Sequence, residues 1–267
     1  MEEIIEKVSN SSIFYNDNDF YLIQGNSIEI LKSIKNNSID MIFADPPYFL
    51  SNDGITCKSG EMVSVNKGDW DKADNIEEIH DFNLKWIKEC KNILTEDGTI
   101  WISGTFHNIY SLGMSLLKNK FKILNNIVWQ KKAPPPNLGC RTFTHSHETI
   151  IWAKKNKDSN QHFNYELMKK INDNKQMKDI WEIGRPKKKE KKHGKHPTQK
   201  PLKLLKRIIL ASTKEDMIVL DPFNGSGTTG IAAVDKKRKY IGIDLEKKYL
   251  ELTKNRYKAH KDNLKLF

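Results

Sequence analysis

The sequence predicts an α/β fold: a doubly wound, mostly parallel sheet of seven strands, helices on both faces, and a small basic insert. Three observations lead there. Short apolar, β-rich runs recur along the chain, segments of helical periodicity lie between several of them, and a glycine-rich turn follows one of the late runs. Parallel strands need crossover connections, so alternating strand and helix patterns point to a sheet covered on both sides. A chain of 267 residues is long enough for one large domain with inserts, or two small ones.

Seven runs qualify as strands: Phe20–Gly25, Met41–Ala44, Thr99–Ser103, Asn126–Gln130, Thr149–Ala153, Met217–Leu220 and Tyr240–Ile243. Helical spacing marks Ser27–Lys35 and Ile76–Leu94, the latter with Ile79, Phe82, Trp86, Ile87, Cys90 and Leu94 at steps of three and four and Gly98 beyond its end. Pro201–Ser212 opens with proline, which a first helical turn accepts because its N–H is unpaired anyway. Thr228–Val234 and Leu245–His260 complete the set. Two stretches interrupt the alternation. Lys154–Lys195 is polar, rich in Lys and Asn and weakly periodic, and Phe49–Asp74 is too long for an ordinary connection. The expected division is 1–153, 154–195 as a small insert, and 196–267 as the second half of the same domain.

The net charge is +11, and it is concentrated. Lys131–Lys206 holds 20 Lys or Arg against 7 Asp or Glu, while the remaining residues hold 25 against 27. The whole positive excess lies in one stretch, as a polyanion-binding surface requires. The plainer reading is a solvated lysine run, above all for Arg185–Lys195. No stretch approaches the roughly 18 apolar residues of a membrane span, and the acidic N-terminus lacks a signal-peptide pattern. Three scattered cysteines, Cys57, Cys90 and Cys140, suggest reduced thiols and a cytoplasmic protein. Cys140, His145 and His147 lack a second ligand cluster, so no metal is expected.

Two motifs carry chemistry. In Met217–Ala233, an apolar run ends at Asp221 and a turn follows with Gly225, Gly227 and Gly230, spaced G-x-G-x-x-G before a helix. Glycine permits the sharp turn and the close approach of a ligand. The next strand ends in Asp244, 23 residues after Asp221 and suited to a ribose diol. The pattern alone fits a dinucleotide or S-adenosylmethionine (SAM). Asp221 favours SAM, since a carboxylate at the strand end repels a pyrophosphate and welcomes a cationic amino group. The second motif, Asp45-Pro46-Pro47-Tyr48, ends another apolar run. Consecutive prolines fix the backbone and withhold two N–H donors, leaving the Pro46 carbonyl rigid and free to accept. The amino nitrogen of adenine is a poor nucleophile because its lone pair is delocalised into the ring. Two acceptors aimed at its hydrogens, the Asp45 carboxylate and the Pro46 carbonyl, relocalise that pair, and Tyr48 offers a flat face to an extruded base.

With these residues the sequence resembles the amino-methylating DNA methyltransferases. Asp45–Tyr48 matches their catalytic motif, Asp221–Gly227 (DPFNGSG) their SAM motif, and His196–Pro201 (HPTQKP) the segment before it. The catalytic motif comes first and the SAM motif last, the order of the β class. The segments IFADPPYFLSNDGI, VSVNKGDWDK and PNLGCRTFTHSHET are similar to the adenine-N6 methyltransferases of GATC restriction–modification systems, in particular the second, single-strand-accepting enzyme of DpnII-type systems. Relatives that read GANTC share much of the early segment. The resemblance implies a SAM-dependent, Rossmann-like fold and the transfer of methyl to adenine N6 in DNA, single- or double-stranded. It implies SAM contacts at Asn26 (where many relatives have Asp), Asp45, Thr198, Lys200, Asp221, Phe223, Gly225, Gly227, Thr228 and Asp244, and a possible homodimer. The 154–195 insert is short for a target-reading unit, so reading is expected to extend to the Pro134–His147 and Phe49–Asp74 loops. Asn137 and Arg141 are the candidate base readers, through bidentate contacts to adenine and guanine, and Lys187, Lys188 and Lys189 the candidate phosphate contacts. Cytosine N4 or an RNA adenine as acceptor, a nucleic-acid-binding module without chemistry, and a nicotinamide oxidoreductase are the alternatives. Among the tryptophans, Trp101, Trp129, Trp152 and Trp181 are expected in the core, and Trp70, in a polar loop, is the exception.

Overall fold

The computed structural model describes residues 1–49, 55–58, 61–64, 75–134, 136–194 and 196–264. In chain order the elements are β1 (Ile13–Asp17), β2 (Phe20–Gln24), α1 (Ser27–Ser33), β3 (Ile39–Ala44), β4 (Ile55–Lys58), β5 (Glu61–Ser64), α2 (Ile76–Ile93), β6 (Leu94–Gly104), α3 (Ile109–Lys118), β7 (Lys122–Gln130), β8 (His147–Lys154), α4 (Tyr165–Lys170), β9 (Ile180–Glu182), α5 (Leu202–Ser212), β10 (Ile218–Asp221), α6 (Thr228–Asp235), β11 (Lys239–Asp244) and α7 (Lys247–Leu264). All seven expected strands are present. Among the described residues the sheet has nine, in the order β1-β2-β11-β10-β3-β6-β8-β7-β9, and β4 and β5 pair separately. Five of its eight pairings are parallel; β1–β2, β6–β8 and β7–β8 are antiparallel.

The two extra strands lie at the edges, where sequence pattern is weakest. β1 (IFYND) is short and polar at its end, and it turns into β2 through Asn18 at φ 46°. β9 is three residues inside the polar insert, yet it pairs with β7 and buries Trp181 against Trp101, which itself stacks on Trp152. The basic run that follows is anchored as well: Glu190 accepts from the backbone N–H of Lys187 at 3.0 Å and of Leu202 at 2.8 Å. Of the Phe49–Asp74 stretch, only the backbone ladder of β4 and β5 and Phe49 belong to the described residues; Trp70 lies outside them.

Two apolar layers follow from strand alternation, because successive side chains point to opposite faces. Tyr21, Ile23, Ile42, Ile100 and Ile102 face α1, α2 and α3 through Leu31, Trp86, Ile87 and Leu112. Phe20, Leu22, Met41, Phe43 and Trp101 face α5, α6 and α7 through Leu204, Ile208, Ile231 and Leu250. Trp129 and Trp152 are buried in the second layer. Neighbouring β3 and β10 send their following helices, α2 and α6, to opposite faces. A crevice opens at such a switch point, beyond the carboxyl ends of the strands.

Candidate active site

That crevice is a cavity with about 1210 Å³ of empty space, its open mouth included, ample for a ligand of nucleoside size. Its walls come from the ends of three parallel strands. β3 delivers Asp45–Tyr48, β10 delivers Asp221–Ser226, and β11 delivers Asp244–Glu246. The two motifs, nearly 180 residues apart in the chain, therefore share one space.

The glycine turn is shaped by contacts on its outer side. Gly227 precedes α6 at φ 69°, and a Cβ there would lie 2.2 Å from Thr253 Cγ2. Gly225 donates its N–H to Asp244 at 2.7 Å, tying the turn to β11. Asp221 is buried; it accepts from Phe223 N at 3.0 Å and Thr229 Oγ1 at 2.6 Å. Burial raises the Asp221 carboxyl to about 7 and Asp244 to about 6, in spite of these hydrogen bonds, and the charges of Asp45 and Asp244 add to the rise at Asp221. The lining sets four carboxyl groups, Asp45, Asp221, Asp244 and Glu246, against the ammonium of Lys200, which leaves an excess of negative charge. Phe43, Phe82, Phe223 and Tyr249 supply apolar surface around it. Residues of this kind fit a cationic sulfonium donor bearing a purine, as SAM does.

At the other end of the cavity a cluster of charges is enclosed. Lys200 Nζ lies 2.5 Å from Asp45 Oδ2, 2.7 Å from the Tyr48 hydroxyl and 3.3 Å from Glu148 Oε2. Tyr48 donates to Asp45 Oδ1 at 2.5 Å. Glu148, at the start of β8, is held at Oε1 by Lys131 Nζ at 2.7 Å, while its Oε2, the oxygen facing Lys200, has Ser103 Oγ at 3.5 Å. Asp45, Lys200 and Glu148 expose only 14%, 5% and 10% of their side chains, so solvent does little to screen them. Burial pushes Asp45 above the usual carboxylate range although Lys200 opposes it. For Lys200 burial works the other way, and the two carboxylates outweigh it and hold the ammonium charged. Burial also opposes the charge on Glu148, but Lys200 and Lys131 prevail and hold it at about 2. The Asn108 amide donates to the Pro47 carbonyl at 2.9 Å and fixes the corner, whereas the Pro46 carbonyl accepts no hydrogen bond among the described residues.

Of the residues read from the sequence, Asp45, Pro46, Pro47, Tyr48, Asn26, Thr198, Lys200, Asp221, Phe223, Gly225, Thr228 and Asp244 all line this cavity. Gly227 does not; its place is behind the turn, against Thr253. Asn26 lines the wall while its side chain caps α1, accepting from Ile28 N at 3.0 Å. Tyr48 is 6% exposed, its ring carrying Lys200 Nζ 5.3 Å from the centroid on one side. Asn137, Arg141, Lys187, Lys188 and Lys189 lie outside the cavity. Asn137 and Arg141 sit in the loop from β7 to β8. β7 runs parallel to β3, so this loop emerges at the same edge of the sheet. The Asn137 side chain is engaged within that loop, donating to Thr142 O at 2.8 Å and accepting from Gly139 N at 3.0 Å. Arg141 is exposed. Among the described residues no group of three or more His, Cys, Asp or Glu is placed to hold a metal.

Sequence reasoning missed Glu148 and Lys131. The available signal was an acid opening an otherwise apolar run (HETIIWA). Its meaning depends on the direction of β8. Only because β8 is antiparallel to β6 does its beginning, with Glu148, lie at the active edge. His196 and Gln199, within the His196–Pro201 segment that the resemblance placed at the cofactor pocket, line the cavity as well, and Glu246 and Tyr249 do so unannounced.

Comparison with known proteins agrees with this geometry. Residues 39–255 match the family model of the N6/N4 methyltransferases, described as "DNA methylase". The chain is 57% identical over 250 residues to the type II methyltransferase M2.DpnII of Streptococcus pneumoniae, covering 93% of each protein. It is 58% identical over 244 residues to the type II methyltransferase M2.LlaDCHI of Lactococcus lactis subsp. cremoris, covering 91% of each. Among solved structures it resembles the M1.HpyAVI–SAM complex at 27% identity and a TM-score of 0.65, over 89% of this chain and 98% of the other. The enclosed acid corner, the glycine turn facing it and these likenesses lead to one conclusion: the chain belongs to the N6/N4 family of DNA methylases.

Proposed function

We propose that the protein transfers a methyl group from SAM to N6 of adenine in DNA, within a short target that we take to be GATC, as the modification partner of a restriction enzyme in the cytoplasm. The observation that carries this reading is the shared cavity, with a cation-seeking glycine turn at one end and the Asp45–Pro46 corner at the other. The type II relatives at 57% and 58% identity support the restriction–modification setting. SAM, when bound, supplies an electrophilic methyl group on a positively charged sulfur. Asp221 and Asp244 orient it through its amino group and ribose. Asp45 and the Pro46 carbonyl accept the two N6 hydrogens of an extruded adenine, which turns the nitrogen lone pair out of the ring plane and toward the methyl carbon. The new N–C bond forms as the C–S bond breaks, the electron pair stays on sulfur, and one N6 proton is lost from the product amine, with Asp45 positioned to take it.

The basic stretch around 154–195, together with the β7–β8 loop, is the part we assign to target recognition. Arg141 is its leading base reader and Lys187, Lys188 and Lys189 meet phosphates. For a homodimer the supporting feature is α3, where Tyr110, Met114 and Leu117 are 77%, 51% and 55% exposed along one apolar stripe. Light scattering of the wild type against a Tyr110→Glu, Met114→Glu variant tests it.

The decisive experiment expresses the protein in a host without adenine methylation and maps modified bases genome-wide. Oligonucleotides, single- and double-stranded, are compared in parallel. N6-methyladenine confined to GATC is expected. N4-methylcytosine in digested nucleosides, or transfer to RNA alone, would overturn the reading.

A further inference from the structure

Both carboxylate oxygens of Asp45 are taken in the protein as it stands. Tyr48 donates to Oδ1 and Lys200 to Oδ2, each at 2.5 Å. Each oxygen keeps a second lone pair, but a donor at 2.5 Å, above all an ammonium, weakens it as an acceptor, so Asp45 grips an adenine amino hydrogen best once one donor yields. Lys200 is 5% exposed, and a buried ammonium cannot leave its counter-ion for nothing. A second carboxylate already waits 3.3 Å from the same nitrogen, that of Glu148. Lys131 holds the other oxygen of Glu148, Oε1, at 2.7 Å, so the carboxylate keeps its place when Lys200 moves.

We infer that Glu148 is a positioning residue that receives the Lys200 ammonium when the target base enters, and so frees Asp45 to grip the N6 amine. The exchange is a short displacement of one nitrogen between two oxygens; the ammonium keeps a carboxylate beside it throughout, and Asp45 exchanges its ion pair for hydrogen bonds from Tyr48 and the amine. Glu148 has a second effect in the same direction. Its negative charge competes for Lys200, and without it Lys200 would bind Asp45 alone and mask it. The groups facing Asp45 are Lys200, Tyr48, Glu148 and, across the cavity, Asp221. Removing the charge of Glu148 lowers the Asp45 carboxyl, so the acid limb of the methylation rate moves to lower pH while the plateau falls.

This inference rests on the adenine-N6 reading, and the test separates the two. Complexes of the full protein with sinefungin, a SAM analogue that transfers nothing, are titrated with target oligonucleotides. These carry either adenine or purine, which lacks the amino group, at the target position. The wild type is expected to prefer adenine by about tenfold, the upper end of what one net hydrogen bond contributes. Glu148→Gln is expected to lose most of that preference and to slow single-turnover methylation by about tenfold or more. Its affinity for SAM stays within about threefold, which also reports an intact fold. Glu148→Asp, which keeps the charge but draws the carboxylate back by one methylene, shows the same losses to a smaller degree and serves if the amide variant folds poorly. No methylation of adenine by the wild type defeats the parent reading. A wild type that methylates adenine, beside folded Glu148 variants with unaltered preference, rate and pH profile, defeats this inference alone.

Discussion

Glu148→Gln also makes a quantitative statement about stability. The carboxyl of Glu148 lies at about 2 in the folded protein against an ordinary value of 4.5. At about 1.4 kcal/mol per pH unit, that difference makes ionised Glu148 worth about 3 kcal/mol to the fold at pH 7. Removal of one partner from a buried ion pair costs about 3–5 kcal/mol by direct measurement in other proteins, so two routes agree. The sign of the pH dependence follows from the direction of the shift. Because folding depresses this pKa, the contribution is complete above about pH 5 and erodes as pH falls toward the folded value, to about 2 kcal/mol near pH 3.5. Urea unfolding followed by tryptophan fluorescence, at pH 7 and again near pH 3.5, gives both numbers. Wild type and variant are expected to differ by about 2–4 kcal/mol at pH 7, and by less in acid. A gap under about 1 kcal/mol at neutral pH, or one that widens on acidification, would refute the assignment of Glu148 as a charge held between Lys200 and Lys131.

Asp45→Ala removes an acceptor of the N6 hydrogens, so labelled-SAM assays should show no transfer while calorimetry still finds SAM bound. Burial raises Asp221, which faces Asp45 and Asp244, to about 7, so it is partly protonated at neutral pH. A bound cation lowers it, so titrations in buffers of different ionisation enthalpy should show a fraction of a proton released per SAM; heats that ignore the buffer would place the cation elsewhere. Gly227→Ala adds a Cβ 2.2 Å from Thr253 Cγ2 at a φ of 69°, and the left-handed backbone alone costs about 1–2 kcal/mol. A fall in melting temperature and in SAM-induced stabilisation is expected, partly restored by Thr253→Ala. Arg141→Ala should relax base preference at one target position by about 1–3 kcal/mol. Alanine at Lys187, Lys188 and Lys189 should weaken all sequences alike and flatten the salt dependence by about one unit per lysine.

The sequence shows plainly those features that local chemistry dictates. Strands such as Met41–Ala44 declare themselves by apolar runs, and both motifs by residues with little other use in such places. The corner at Asp45 and the turn at Gly225 were legible for that reason, and so was their expected meeting at strand ends. What required the coordinates was whatever depends on strand direction and long-range pairing. β1 and β9 are too short and polar to stand out, and α3, interrupted by Gly113 and two serines, blurs its own period. Glu148 reads as an acid beside a strand until β8 proves antiparallel. Gly227 fits a ligand-contact motif, yet its requirement comes from Thr253 packed behind it. Asn137 has the chemistry of an adenine reader, but its amide is engaged in shaping its own loop.

The strand order has a consequence for biosynthesis. β2 and β3 are neighbours in sequence but not in space, because β10 and β11, from the last quarter of the chain, lie between them. As the chain leaves the ribosome, its early strands carry raw edges that stay open until β10 and β11 have emerged. Such edges are templates for unwanted pairing between chains. Nascent molecules paused before residue 217 should therefore be chaperone-dependent and blind to SAM, and the donor should steady the protein only once synthesis closes the gap.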